Sequence, residues 1–132
     1  MTWEKRNLLI KDLSARLPYG VKICINEEIH YLDSIIYDDG YYVNFVGDNK
    51  EGYSLVYNEI KPYLFPLSSM TESQKEELNN NLISLELKAL NDEISHSQVA
   101  EFEIDFYNRN HIDYRGLIPM GLALDATGLK VY

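Results

Sequence analysis

A single cysteine among 132 residues cannot close an internal disulfide, and a lone thiol fits a reducing compartment. Four prolines and seven glycines are too few for a fibrous or low-complexity chain. No stretch approaches the ~18 apolar residues of a membrane span. The apolar run near the start, Leu8-Leu9-Ile10, is too short for the core of a signal peptide. Positive charge is scarce as well. Twelve basic residues face 21 acidic ones, and the net charge of −9 argues against a nucleic-acid-binding surface. No GxGxxG, GxxxxGK[ST], HExxH, CxxC, GxSxG or EF-hand loop occurs, which argues against dinucleotide enzymes, P-loop NTPases, zincins and thioredoxin-like proteins. The expectation is a cytoplasmic protein without cofactor or metal.

What remains is a chain with 45% apolar residues, enough to build one core over residues 1–132. Residues 3–17 have helical periodicity: Leu9, Ile10, Leu13 and Leu17 recur on one side, with Glu4, Lys5, Lys11, Asp12 and Arg16 assigned to the other. Thr2 is a suitable N-cap, and Pro18 with Gly20 stops the helix. This segment, residues 1–20, carries four positive and two negative charges, against eight and nineteen over residues 21–132. The surplus acid reads as a solubilising surface, or more sharply as a face that meets a basic partner or imitates nucleic acid.

Residues 21–66 read as a β-rich segment. Val21, Ile23 and Ile25 alternate with Lys22, Cys24 and Asn26, and Asn26-Glu27-Glu28 makes a break before Ile29-His30-Tyr31-Leu32. Asp39-Gly40 between Ser34–Tyr37 and Tyr41–Val46 is a hairpin signal. A polar loop from Gly47 to Gly52 leads into a further candidate strand, Tyr53–Tyr57. Short strands at this spacing, with no helix-length crossover between them, predict an antiparallel SH3-like barrel or curled sheet.

Residues 67–132 form the helical part and tail. Thr71 and Gln74 make a capping box for a helix over about 72–92. Its apolar residues fall in two stripes, Leu78/Leu82/Leu85/Ala89 and Ile83/Leu87/Leu90/Ile94. A helix apolar over so much of its girth packs on two neighbours, and a homodimer through residues 78–94 would supply the second. A polar link over 92–97 precedes a helix over 98–110 marked by Val99, Phe102 and Phe106. Gly116, Pro119 and Gly121 then break regular structure in a tail dense in apolar residues, which predicts a packed C-terminal segment. The fold class expected is α+β.

Two constellations are candidates for function. The first is His111, Asp113, Tyr114 and Arg115 at a helix C-terminus. His111 could exchange protons while Asp113 orients it and Arg115 holds an anion. The simpler reading makes them structural: His111 and Arg109 complement the helix dipole, Asp113 caps the next turn, and Arg115 pairs with that aspartate. The second is the excess of tyrosine, eleven in all with eight between positions 19 and 63. Tyr31, Tyr37, Tyr42, Tyr53 and Tyr57 would make an aromatic surface of the kind that binds extended peptides. Cys24 reads as a structural thiol, His30 and His96 as solvated, and Glu101 with Asp105 as a solvated acidic face.

Three stretches also resemble a family. They are Lys11-Asp12-Leu13-Ser14-Ala15-Arg16-Leu17-Pro18-Tyr19-Gly20-Val21, then Lys61-Pro62-Tyr63-Leu64-Phe65-Pro66-Leu67-Ser68-Ser69-Met70-Thr71-Glu72, and His111-Ile112-Asp113-Tyr114-Arg115-Gly116-Leu117-Ile118. In order and spacing they are similar to a family of small uncharacterised proteins encoded by gut Bacteroides and by phages and mobile elements of those hosts. The resemblance implies a bacterial cytoplasmic or phage-expressed setting and carries no activity with it. The functional expectation is a non-enzymatic protein-interaction module with a protein partner. The alternatives are an acidic inhibitor of a nucleic-acid-handling protein and a small enzyme using His111, Asp113 and Arg115.

Overall fold

A computed structural model describes residues 1–47 and 52–132, so the interior of the predicted Gly47–Gly52 loop lies outside the described residues. The first helix, α1 (Trp3–Arg16), starts where Thr2 accepts a hydrogen bond from the Lys5 amide at 3.2 Å. A 3₁₀ turn over Leu17–Tyr19 follows, and Gly20 closes it in the left-handed region at φ +68°, which glycine enters without steric cost. Leu9, Ile10 and Leu13 are buried as expected. Asp12 and Arg16 depart from the expectation: both are buried on the inner side of the helix, not on its solvent face.

Five strands come next: β1 (Lys22–Ile25), β2 (Glu28–Tyr37), β3 (Tyr41–Phe45), β4 (Tyr53–Ser54) and β5 (Ile60–Pro66). All pairings among them are antiparallel. Tyr37 opposes Tyr41 across the hairpin, with Asp39 at φ +52° and Gly40 at φ +144° in the turn. The two segments read as separate short strands, Ile29–Leu32 and Ser34–Tyr37, are one ten-residue strand. A register shift between Leu32 and Ser34 makes Asp33 a bulge, which bends β2 so that its first half pairs with β1 and its second with β3. The strand expected over Tyr53–Tyr57 is only two residues long, because the chain turns over 55–57, where the Asn58 amide donates to the Ser54 carbonyl at 3.0 Å.

The sheet is curled but open, so the SH3-like barrel does not form. Closure would need the end strands to pair, yet the order runs β4-β3-β2-β1-β5 and continues past β5. Beyond its pairing with β1, β5 also pairs with two short tail strands, β6 (Ile112–Asp113) and β7 (Leu124–Asp125), both parallel to it. The tail therefore finishes a mixed sheet as well as packing down.

Between β5 and β6 runs a helical hairpin, α2 (Glu72–Leu90) and α3 (His96–Arg109). The Thr71/Gln74 capping box is present, with bonds of 3.0 and 3.1 Å. A second box was not anticipated: Ser95 and Gln98 cap α3 reciprocally at 2.8 and 3.2 Å, so the helix starts at His96 inside the supposed polar link. Leu9, Leu13, Val21, Ile23, Val43, Leu64 and Leu117 are fully buried between α1, the sheet and the tail. A second cluster of Leu78, Phe106 and Ile112 joins the hairpin to β6. Of the two α2 stripes, Leu78 and Ala89 are buried and Leu82 and Leu85 half-buried. Ile83, Leu87 and Leu90 are left exposed. The expected α+β class, with an N-terminal helix and two later ones, is the class observed.

Candidate functional site

The His111–Arg115 segment follows directly from the end of α3. Asn110 closes that helix by donating from its side chain to the Phe106 carbonyl at 2.9 Å. His111 then adopts φ +58°, a left-handed conformation costly for a side chain larger than glycine. The turn is held because the Phe65 amide donates to the His111 carbonyl at 2.8 Å, which starts β6 along β5.

From there the charged groups are directed to different partners, while the buried Tyr114 hydroxyl and His111 Nδ1 have no hydrogen-bond partner among the described residues. Both Asp113 carboxylate oxygens accept backbone hydrogen bonds, from the Leu117 amide at 2.8 Å and the Ile118 amide at 2.9 Å. The carboxylate thus caps the tail turn, as the structural reading holds. Arg115 does not pair with Asp113. Its Nη1 donates to Asp12 Oδ1 at 2.8 Å, while Arg16 Nε donates to Asp12 Oδ2 at 2.8 Å. Arg16 Nη2 adds a 2.7 Å bond to the Ile112 carbonyl. Side-chain exposure is 0% for Asp12 and Arg16 and 16% for Arg115, so one carboxylate sits between two guanidinia with almost no water at hand. Tyr114 packs its ring under both cations, 5.3 Å from the Arg16 guanidinium carbon and 4.5 Å from that of Arg115.

His111 is turned away from Asp113. Its ring stacks on Tyr132 at 3.8 Å and 8°. The Tyr132 hydroxyl accepts from the Lys22 amide at 2.9 Å and donates to the Tyr63 carbonyl at 2.8 Å. Burial, with Arg16 and Lys22 nearby, pushes the His111 pKa down to about 4. The ring is therefore neutral near pH 7 and does not complement the helix dipole as a cation. Burial likewise raises the Tyr132 pKa. The imidazole, carboxylate and guanidinium that the sequence groups together are separated by the fold into a stacking contact, a cap and an ion pair.

One groove does gather three of the four, without His111. A cavity of about 350 Å³ lies on the sheet, lined by Cys24, Asn26, Glu27, Glu59 and Lys61. A shallow groove of about 430 Å³ runs along Asp113, Tyr114 and Arg115, bordered by Pro66, Leu67 and Pro119. His111 lines neither.

The five tyrosines are spread over different surfaces. Tyr31 opposes Lys22 and Tyr42 opposes Ile36, on the side of the sheet away from the core. Tyr53 opposes buried Val43 and so shares its inward side, stacked against Phe45. Tyr37 is exposed at the hairpin beside Tyr41, and Tyr57 is exposed beyond β4. His30, expected in solvent, is half-buried and stacked on Phe45 at 3.7 Å.

The outer side of α2 is uncovered. Ile83, Leu87 and Leu90 are 58%, 57% and 73% exposed there. Residues 72–109 carry nine acidic and three basic residues, −6 of the chain's net −9. Among the described residues no helix is long and apolar enough to cross a membrane. Compared with known proteins, the chain matches no family model, no curated protein and no solved structure.

Proposed function

We propose that the chain is a non-enzymatic protein-interaction module working in the cytoplasm of a bacterial host, in a phage or mobile-element setting. One observation carries this reading: a helix well packed on one side leaves Ile83, Leu87 and Leu90 uncovered on the other. An apolar patch rimmed by charge is what a protein-binding surface presents. The bonding of the His111–Arg115 segment supports the same view, since its reactive groups are held in structural contacts. The acid concentrated on the hairpin supports a second version, in which the partner is a nucleic-acid-handling protein that the module inhibits.

The test is affinity capture from the native host with the wild-type chain and with an Ile83→Ser/Leu87→Ser/Leu90→Ser variant. Circular dichroism checks that the variant keeps its helices. Proteins that copurify with the wild type and are lost with the variant are the expected result. Identical sets from both would remove α2 from the function.

A further inference from the structure

We propose that the outer face of α2 docks a basic amphipathic helix of a partner protein, with the partner's apolar anchors on Ile83, Leu87 and Leu90 and its lysines or arginines on Glu72 and Glu76. The proposal rests on the interaction-module reading and specifies the partner's chemistry. At helical spacing, Glu72, Glu76, Asn80, Ile83, Leu87 and Leu90 fall in one row, and all six are exposed. The row is divided along its length. Its N-terminal half is acidic, its C-terminal half apolar, and Glu77 and Glu86 flank it on either side. The acids are not neutralised from within. Lys75 reaches Glu72 at 3.4 Å and Arg109 reaches Glu77 at 3.6 Å, both exposed pairs of little strength, and Lys88 is the one other cation of the hairpin.

That division decides between occupants. A second copy in parallel would set Glu72 and Glu76 against their own counterparts. A fully overlapped antiparallel copy would lay Leu87 and Leu90 on those carboxylates, desolvating charge without a counter-ion. An antiparallel pair overlapped only at the apolar triad buries on the order of 300 Å² a side, against the ~800 Å² of a standard interface. Anionic membranes and nucleic acids are repelled by the same acids. A basic amphipathic helix avoids each penalty. It can cover the row over its ~28 Å length, with lysine stems lying along apolar surface and their ammonium groups on the glutamates.

The experiment titrates synthetic helical peptides into the ¹⁵N-labelled full chain. All peptides share one leucine triad at i, i+4 and i+7. One set carries lysines beyond the triad and the other glutamates, each in both chain polarities. The expected result is saturable shifts along Glu72–Leu90 with a lysine peptide alone, weakened at least tenfold by Leu87→Ser and by raising NaCl from 50 to 300 mM. In Glu72→Lys/Glu76→Lys the preference should reverse to the glutamate peptide. Equal binding of both peptide sets, shifts centred outside α2, or a concentration-dependent dimer abolished by Leu87→Ser would each overturn the proposal. Failure of the peptides beside a captured partner that still depends on Ile83, Leu87 and Leu90 refutes the basic-helix inference alone. Failure of both experiments refutes the module reading too.

Discussion

Removing the Asp12 carboxylate should be among the most damaging single changes this fold can suffer. In Asp12→Ala two charge-assisted hydrogen bonds of 2.8 Å disappear, and the two guanidinia that shared the carboxylate meet different fates. Arg115, 16% exposed, can turn to water. Arg16 has no exposed surface and keeps its bond to the Ile112 carbonyl and its contact with the Tyr114 ring, so a full charge is left buried without a counter-ion. Breaking a buried pair in this way costs about 3–5 kcal/mol. For a domain of ordinary stability, about 5–15 kcal/mol, that is a fifth of the total or more. At a urea slope of about 1–3 kcal/mol per molar the midpoint should fall by at least 1 M.

The assay is urea unfolding followed by circular dichroism at 222 nm, since Trp3 is exposed and a poor reporter of the core. Arg115→Ala should cost less, about 1–2 kcal/mol, because Asp12 keeps Arg16. The discriminating variant is Asp12→Leu/Arg16→Met. Removing the carboxylate and the buried cation together should recover most of the loss, as apolar replacements of buried ion pairs do. A cost below about 1 kcal/mol for Asp12→Ala, or a double variant as unstable as the two single losses summed, would refute the reasoning.

The remaining expectations concern other parts of the fold. His111 binds its proton less readily folded than unfolded, so stability should rise with pH between about 4 and 6.5 and fall as acid charges the unfolded ring first. After discounting for the ring's residual solvent contact the effect is about 1–2 kcal/mol, read from urea midpoints at pH 4 and 7 and lost in His111→Phe. Leu117 is fully buried, so Leu117→Ala should cost about 2–5 kcal/mol by the same unfolding assay. Thr71→Ala and Ser95→Ala should each cost about 0.5–2 kcal/mol, and exposed Ser73→Ala much less; equal effects from all three would mean that the capping boxes contribute nothing.

The sequence carries the local elements of this fold better than their long-range partners. Alternation in Val21–Ile25, the Asp39-Gly40 turn and the Thr71/Gln74 box each depend on neighbours within a few residues, and each forms as read. The Ser95/Gln98 box follows the same spacing and was legible on the same grounds. Barrel closure was not legible, because it depends on which segments pair with β5. Those places are filled from the tail, about fifty residues away, by strands of two residues with no periodicity to announce them. The bulge at Asp33 is hidden for a related reason, since it is defined by a register with β3.

The polar cluster was misassembled for a reason that can be located on α1. Arg16 lies seven residues after Leu9 and three after Leu13, in the middle of the apolar face, and Asp12 lies three after Leu9. Assigning them to the solvent side followed their charge and not their position. With the position taken first, two opposite charges four residues apart on a buried face need each other and a further partner. The partner is Arg115, brought from the tail to the Asp12 and Arg16 of α1. Phe65 and Pro66 of β5 pair with Ile112 and Asp113 beside it. Segments distant in sequence thus meet where bonds of fixed length leave few alternatives in side-chain identity. A surface that selects a partner has to be sought where the fold asks for nothing, and α2 has such a face: Ile83, Leu87 and Leu90 could be polar without disturbing any contact within the core clusters.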